Sequence, residues 1–169
     1  MEHDEFQEID HIEEIDEDTQ EGKYLTFTMG KEEYGIEIHN VTEIIGIQSI
    51  TDLPDTPDFV KGVINLRGKV IPVLDVRLRF KMEEKAYNDR TCIIVVNIRN
   101  MSVGLIVDTV SEVLDIPAEE VEDPPKVNIK AGSRYIQGLG KVGSKVKILL
   151  DTHKLLFGNE LDEISDALN

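Results

Sequence analysis

The first residues that could do chemistry lie in a glycine-rich stretch. Residues 138–143 read Gly-Leu-Gly-Lys-Val-Gly, which spells the G-x-G-x-x-G fingerprint of dinucleotide-binding loops. That fingerprint requires a helix to begin at the loop, because the pyrophosphate binds at the helix N-terminus. Residues 145–150 read Lys-Val-Lys-Ile-Leu-Leu and have the character of a strand. We therefore interpret the stretch as a hairpin and reject a nucleotide site.

Metal binding and nucleophilic catalysis have little support in the residue pattern. Four histidines are present, but no two of them have the spacing of a zinc site, and Cys92 is the single cysteine. No G-x-S-x-G elbow or similar nucleophile motif occurs, and the paired carboxylates lie mostly near the N-terminus. We expect no cofactor, no metal and no enzyme activity, although a site assembled from distant residues stays open.

Charge is distributed unevenly along the chain. Residues 1–22 hold eleven Asp or Glu and no Lys or Arg, so most of the net charge of −16 lies there and the rest carries about −5. Nucleic acids and anionic membrane surfaces are therefore not expected as partners. We expect residues 1–22 to be a disordered acidic tail, in which Phe6, Ile9, Ile12 and Ile15 recur every third position. Without a signal peptide or a membrane-spanning run, a cytoplasmic protein is expected.

Alternation of apolar and polar residues predicts a mainly β fold. Residues 25–29 alternate in this way, and a turn joins them to a second strand over residues 34–38. Further strands are expected over residues 44–50, 62–66, 69–74, 92–98, 102–107, 112–116, 135–141 and 145–150. Short helices are expected over residues 151–157 and 160–168.

The chain contains an internal repeat. Residues 25–45 align without a gap on residues 94–114 at an offset of 69, and residues 59–75 align on residues 135–151 at an offset of 76. The two blocks have the same order in both halves. We infer two topologically similar units of about five strands each, related by duplication. Five short strands curl readily into a small barrel, which removes exposed sheet edges.

Residues that both halves share are expected to be structural. Gly35 and Gly104 are equivalent, and we expect them to allow close backbone approach or a bulge. Asp75 and Asp151 are also equivalent, and we expect them to act as caps or turn formers. Residues that only one half has are candidates for function.

Arg67 is such a residue, because it aligns with Gly143 at the tip of the second hairpin. Arginine is enriched at interface hot spots, where its guanidinium binds carboxylates and carbonyl groups. We expect Arg67, together with Lys69, Arg77 and Arg79, to form an exposed basic patch on a mainly acidic protein.

Residues 60–77 read VKGVINLRGKVIPVLDVR, and this stretch resembles the signature of the CheW family. Supporting matches lie in residues 34–38, 41–44, 103–108 and 138–140. The resemblance implies a mainly β fold of two intertwined five-stranded, SH3-like β-barrels related by internal duplication, with short helices. It divides the chain into an acidic tail (1–22), a CheW-like domain of two barrel subdomains (23–158) and a C-terminal helix or tail (159–169).

The resemblance also implies a function. Members of the family are non-catalytic adaptors that couple methyl-accepting chemoreceptors to the regulatory domain of the histidine kinase CheA, in arrays at the inner face of the membrane. The residues implied in receptor or kinase binding are Val41, Glu43, Ile44, Asn65, Arg67, Gly68, Val103 and Gly104. An alternative from another class is a small β-barrel ligand-binding domain or enzyme with a cleft between the two units.

Overall fold

The computed structural model describes residues 20–124 and 133–157, and strands dominate this part of the chain. The strands are β1 (Lys23–Met29), β2 (Glu32–Glu37), β3 (Val41–Gly46), β4 (Val60–Leu66), β5 (Lys69–Asp75), β6 (Cys92–Ile98), β7 (Met101–Val107), β8 (Thr109–Asp115), β9 (Val121–Glu122), β10 (Ile136–Val142) and β11 (Lys145–Leu150). Helix α1 (Val76–Arg79) follows β5, and helix α2, described over residues 152–157, follows β11. Single 3-10 turns lie at Ile38–Asn40, Ala118–Glu120 and Ser133–Tyr135.

The strands form two sheets, and each sheet closes on itself as a barrel. Barrel A has the strand order β8-β1-β2-β11-β10-β9, and barrel B has the order β3-β6-β7-β5-β4. Barrel B closes where the chain leaving β3 pairs with β4, through two Thr51–Val63 backbone hydrogen bonds of 2.9 Å. Barrel A closes where β9, which continues from β8, pairs Glu122 with Leu139 of β10. The two closures occupy equivalent positions in the repeat.

The barrels are intertwined, because each takes strands from both halves of the chain. Barrel A combines β1 and β2 with β8 to β11, and barrel B combines β6 and β7 with β3 to β5. The halves meet where β2 pairs in parallel with β11 and where β7 pairs in parallel with β5. Every long strand of barrel A thus has an equivalent in barrel B, which confirms the predicted fold. A barrel is therefore not one contiguous half of the sequence.

Three apolar clusters stabilise this arrangement, one within each barrel and the largest between them. Successive residues of a strand face opposite sides, so in β6 Ile93 and Val95 point into barrel B while Ile94 and Val96 point towards barrel A. This explains why residues 92–96 are apolar without interruption. Buried residues of the cluster between the barrels are Leu25, Phe27, Met29, Ile36, Phe59, Leu74, Val76, Phe80, Ile94, Val96, Ile98, Val103, Leu105, Val107, Tyr135, Leu150, Leu155 and Leu156.

The equivalent glycines allow close packing inside the barrels, as predicted. A Cβ atom on Gly104 would lie 2.7 Å from Ile93 Cγ2 and 2.8 Å from Val73 Cγ1. A Cβ atom on Gly35 would lie 3.0 Å from Leu149 Cδ2. Barrel B is therefore packed more tightly at this position than barrel A.

The equivalent aspartates cap the two helices, which confirms their predicted structural part. Asp75 Oδ1 accepts a hydrogen bond from the Leu78 N–H at 3.3 Å, and Asp151 Oδ1 accepts one from the Lys154 N–H at 3.0 Å. The Tyr87 hydroxyl also donates to Asp75 Oδ2 at 2.7 Å. Burial of Tyr87 and this hydrogen bond raise the pKa of its hydroxyl well above the usual range.

Some expectations fall outside the described residues or differ from the structure. The predicted acidic tail up to residue 19 and the predicted helix over residues 160–168 lie outside the described part of the chain. The third strand spans Val41–Gly46 instead of residues 44–50. Within the described residues, no helix is long and apolar enough to cross a membrane.

Candidate functional site

The hairpin between β4 and β5 has an unusual tip. Its two central residues, Arg67 and Gly68, both have positive φ angles, 51° and 85°, as in a type I′ turn. The Asn65 side chain closes the turn, because its Oδ1 accepts a hydrogen bond from the Gly68 N–H at 2.8 Å. Glycine adopts a positive φ without steric cost, but arginine does so at a cost of about 1 kcal/mol.

The equivalent hairpin of barrel A avoids this cost. Between β10 and β11 the central residues are Gly143 and Ser144, and only Gly143 has a positive φ, of 61°. This hairpin contains the G-x-G-x-x-G string, and the strands on both sides of it confirm the predicted hairpin. A left-handed arginine where the duplicate has glycine is local strain of the kind that gathers at functional sites.

An ion pair holds Arg67 at the rim of barrel B. Its Nη2 donates to Glu43 Oε2, so the hairpin tip is tied to β3 on the far side of the barrel closure. This hydrogen bond raises the pKa of the guanidinium. The Arg67 side chain is 70% exposed, and Glu43 is more buried, with its Oε1 atom shielded and without a hydrogen-bond partner in the described residues. The guanidinium is thus held in place and still presents donors to solvent.

A second strained hairpin lies beside the first. Between β6 and β7, Arg99 and Asn100 both have positive φ angles, 54° and 62°. The Lys69 ammonium, at the start of β5, donates to Ser102 Oγ at the start of β7 at 3.3 Å, which places the two tips side by side. We call residues 65–70 and 97–102 the basic rim of barrel B. The equivalent first tip of barrel A has Gly30 in place of Arg99.

Two exposed apolar side chains adjoin the charged groups of the basic rim. Val70 is 65% exposed and Met101 is 46% exposed. The exposed apolar residues of the two barrels also correspond to one another, since Val70 aligns with Val146 and Ile44 aligns with Val113. An exposed valine or isoleucine is unremarkable singly, but repetition at equivalent sites gives each barrel a similar apolar surface.

Comparison with known proteins agrees with this architecture. The family model described as "CheW-like domain" matches residues 23–158. This chain belongs to the CheW-like domain family. The chemotaxis protein CheW of Klebsiella aerogenes is 42% identical over 139 residues, covering 82% of this chain and 84% of that protein. The chemotaxis protein CheW of Treponema pallidum is 32% identical over 146 residues, covering 84% of this chain and 86% of that protein.

A solved structure shows the same similarity in three dimensions. The crystal structure of the scaffolding protein TtCheW from Thermoanaerobacter tengcongensis matches with a TM-score of 0.73 at 38% sequence identity. The match covers 79% of this chain and 91% of that one. The CheW-like fold therefore accounts for most of the chain.

The CheW-like fold brings together only part of the predicted site. Glu43, Asn65, Arg67 and Gly68 form one connected group through the ion pair and the turn hydrogen bond. Ile44, beside Glu43, has an exposed side chain. These residues form a continuous candidate surface at the rim of barrel B.

Three other predicted residues are less accessible. Val41 is half-buried against the cluster between the barrels. Val103 is buried in that cluster, and Gly104 is buried within barrel B. In this structure Val103 and Gly104 do not line a surface groove, because alternation in β7 directs both positions into apolar cores.

The expected exposed basic patch is wrong for two of its four residues. Arg77 Nε and Nη2 form a bidentate ion pair with Asp108 at 2.7 and 2.9 Å. Arg79 is buried between the aromatic rings of Phe59 and Tyr135, with its Cζ 4.0 and 5.2 Å from their centroids. Phe59 and Tyr135 are equivalent in the repeat, so Arg79 links the two halves. The sequence signal for this was the position of Arg79 in an apolar segment after the Asp75 cap.

Cavities in the described residues include one beside the Arg77–Asp108 ion pair and one at the N-terminal side of barrel A. The first is lined by Asp75, Tyr87 and Asp108, among others, and its volume of about 10 Å³ suits a single water molecule. The second is a shallow polar depression that includes Glu37 and His39. No group of three or more metal-ligating side chains lies together in the described residues.

Proposed function

We propose that this chain is a non-catalytic adaptor that couples methyl-accepting chemoreceptors to the histidine kinase CheA in chemotaxis signalling. Membership of the CheW-like family supports the proposal, and so does the similarity to a structure named as a scaffolding protein. The observation that carries it is the basic rim of barrel B, where a strained, held and exposed arginine stands among apolar side chains. Such a surface suits a protein partner.

The Arg67 guanidinium is the proposed anchor for a receptor. Glu43 uses one side of the guanidinium and leaves other N–H groups directed at solvent, where a backbone carbonyl or a carboxylate of the partner accepts them. Asn65 and Gly68 fix the turn, and Ile44 supplies apolar contact area. Because the side chain is already restrained, less conformational entropy is lost on binding.

An adaptor needs a second face, and the repeat supplies one. Barrel A exposes Val113 and Val146 at the positions equivalent to Ile44 and Val70 of barrel B. We propose that the kinase regulatory domain binds an apolar face of this kind on either barrel. Transient signalling contacts bury about 1,200 Å² or less, and many weak contacts in an array gain strength through avidity.

Coupling between partners requires that both bias the same structural element. The cluster between the barrels, with Arg79 stacked on Phe59 and Tyr135, fixes how one barrel sits against the other. We propose that receptor and kinase binding act on this arrangement. The proposed place of action is the cytoplasm, at membrane-associated receptor arrays.

Co-sedimentation tests this proposal directly. The full chain is mixed with a receptor cytoplasmic fragment and with the regulatory domain of the kinase, separately and together. We expect it to bind each partner alone and to bring both into one sedimenting complex. Failure to join either partner would contradict the proposed function.

A further inference from the structure

The hairpin tips of barrel B carry more net positive charge than the equivalent tips of barrel A. The basic rim contains Arg67, Lys69 and Arg99 and no acidic residue. Within the described residues Glu43 is its one ion-pair partner, and no carboxylate lies within 4.0 Å of Lys69 or Arg99. This surface is unusual on a chain whose net charge is −16.

The equivalent tips of barrel A, residues 28–33 and 141–146, differ in charge and polarity. Glu32 stands where barrel B has Met101. Lys141 forms an ion pair with Glu122, with its Nζ 3.2 Å from Oε1. The neighbouring Glu33 is paired with Lys147. The two sets of tips therefore have the same fold but a different charge balance: the set on barrel B has three cations and no carboxylate, whereas the set on barrel A combines Lys31, Lys141 and Lys145 with Glu32 and Glu33.

The N-terminal residues have complementary chemistry. Residues 1–19 contain ten Asp or Glu and no Lys or Arg, with Phe6, Ile9, Ile12 and Ile15 among them. We propose that this acidic segment docks on the basic rim of barrel B in the same molecule. Carboxylates would meet Lys69, Arg99 and the free side of Arg67, while the apolar side chains would cover Val70 and Met101.

The length of the segment permits this contact. Nineteen residues span up to about 60 Å when extended, and a domain of about 130 residues has a radius of gyration of about 14 Å. The surface of barrel A where the segment joins the domain carries Glu21 and Glu37, and these carboxylates repel the acidic segment. Tethering gives an effective concentration on the order of 1 mM, so a contact with a dissociation constant near 1 mM is occupied about half of the time.

Docking of the segment would compete with any partner that binds Arg67, and this consequence rests on the proposed function. Half occupancy lowers the apparent affinity of such a partner about twofold. Neutralising the carboxylates would remove the competition. The segment would thus weaken every partner that binds the rim by the same factor and leave partners that bind elsewhere unaffected.

Paramagnetic relaxation in the full chain without partners tests the docking itself. A spin label is attached at His11→Cys in a Cys92→Ala background, and the amide signals of both sets of tips are compared. We expect broadening of signals from residues 65–70 and 97–102, and little from the matched tips of barrel A. At 1 M salt, where the Debye length is about 3 Å, the difference should disappear.

A variant carrying Arg67→Gly and Arg99→Gly provides the decisive control. Glycine is the residue at both equivalent positions of barrel A, so the backbone of each turn is retained. We expect this variant to lose the selective broadening. Equal broadening of both barrels, no broadening, or selective broadening that survives the double substitution would each overturn the proposal, whether or not receptors bind.

Discussion

Barrel A and barrel B have equivalent strands in the same order, and they differ in their interiors and at their hairpin tips. Barrel B is filled by six buried aliphatic side chains, including Ile71. At the position equivalent to Ile71, barrel A has Lys147, which is buried and paired with Glu33. The two barrels have the same topology although their interiors differ. The topology is therefore set by the features that they share, which are the equivalent glycines, the helix caps and the strand pairing.

The hairpin tips of the two barrels differ in the residues that adopt positive φ angles. In barrel A the first residue of each tip is a glycine, Gly30 or Gly143, and in barrel B it is an arginine, Arg99 or Arg67. Each left-handed arginine costs about 1 kcal/mol relative to an unstrained residue. A feature that lowers stability in one barrel and has no counterpart in the other is better explained by binding than by folding.

The largest effect is expected where the two barrels close. Gly62 of barrel B has a φ of 144°, and a Cβ atom there would overlap the carbonyl oxygen of Thr51. We expect Gly62→Ala to lower the free energy of unfolding by about 3 kcal/mol or more, because backbone must move. The equivalent Gly138 meets Val121 Cγ1 at 2.8 Å. A side chain yields more easily, so Gly138→Ala should cost about 1 to 2 kcal/mol. Urea unfolding measures both, and equal losses would contradict the closure described for barrel B.

The next effect concerns the buried pair in barrel A. Glu33→Ala leaves the Lys147 ammonium buried without its partner, and we expect a loss of about 1 to 3 kcal/mol, reduced by the partial exposure of Glu33. Lys147→Ile, which copies Ile71, should be neutral or stabilising. Thermal unfolding of both variants distinguishes these outcomes. A large loss in Lys147→Ile would show that barrel A needs its polar interior for stability.

A smaller effect should appear at acid pH. Burial of Asp108 would raise the pKa of its carboxyl, but hydrogen bonds from Arg77 and from the Gly30 N–H outweigh burial and hold the pKa below its usual value. A depressed folded-state pKa stabilises the fold above the unfolded-state pKa of about 4, and this contribution disappears as the pH falls through the folded value. We expect Asp108→Asn to cost about 1 kcal/mol at pH 7 and to lose less stability than the parent chain below pH 4. If the parent chain and Asp108→Asn lost the same amount of stability between pH 7 and pH 3, this assignment would be contradicted.

The smallest effect on stability is expected from exchanging the tip residues. Arg67→Gly relieves strain but loses an exposed ion pair, so the free energy of unfolding should change by less than about 1 kcal/mol. Gly143→Arg introduces the strain in barrel A and should cost about 1 kcal/mol. Differential scanning calorimetry compares the two variants. A strong loss in Arg67→Gly would mean that the arginine serves the fold.

Much of the fold was predictable, because the repeat exposes its structural positions. Equivalent residues such as Gly104 and Asp75 could be assigned to packing and capping from alignment of the two halves alone. The exchange of strands between halves was not derivable from the alignment, since contiguous and intertwined barrels satisfy the same alternation. It followed only from the family resemblance.

The site was predictable in part. Arg67 was identified because its equivalent in the other half is a glycine. Its partner Glu43 aligns with another glutamate, Glu112, so comparison of the two halves does not single it out. Arg77 and Arg79 were placed on the surface because charge usually lies there. The structure instead pairs Arg77 with Asp108 and stacks Arg79 on two rings, which are contacts between residues far apart in sequence. Burial of charge depends on such distant partners, so local patterns do not reveal it.

The most direct test of the account is receptor binding by the tip variants. Isothermal titration calorimetry of a receptor cytoplasmic fragment compares the parent chain, Arg67→Gly and the control Lys145→Ala at the equivalent tip of barrel A. We predict that Arg67→Gly weakens binding by about 1 to 3 kcal/mol, or about 5-fold to 150-fold, with unfolding unchanged, and that Lys145→Ala has no effect. Binding that is unaltered in Arg67→Gly, or equally weakened in both variants, would contradict the assignment of function to the tip of barrel B.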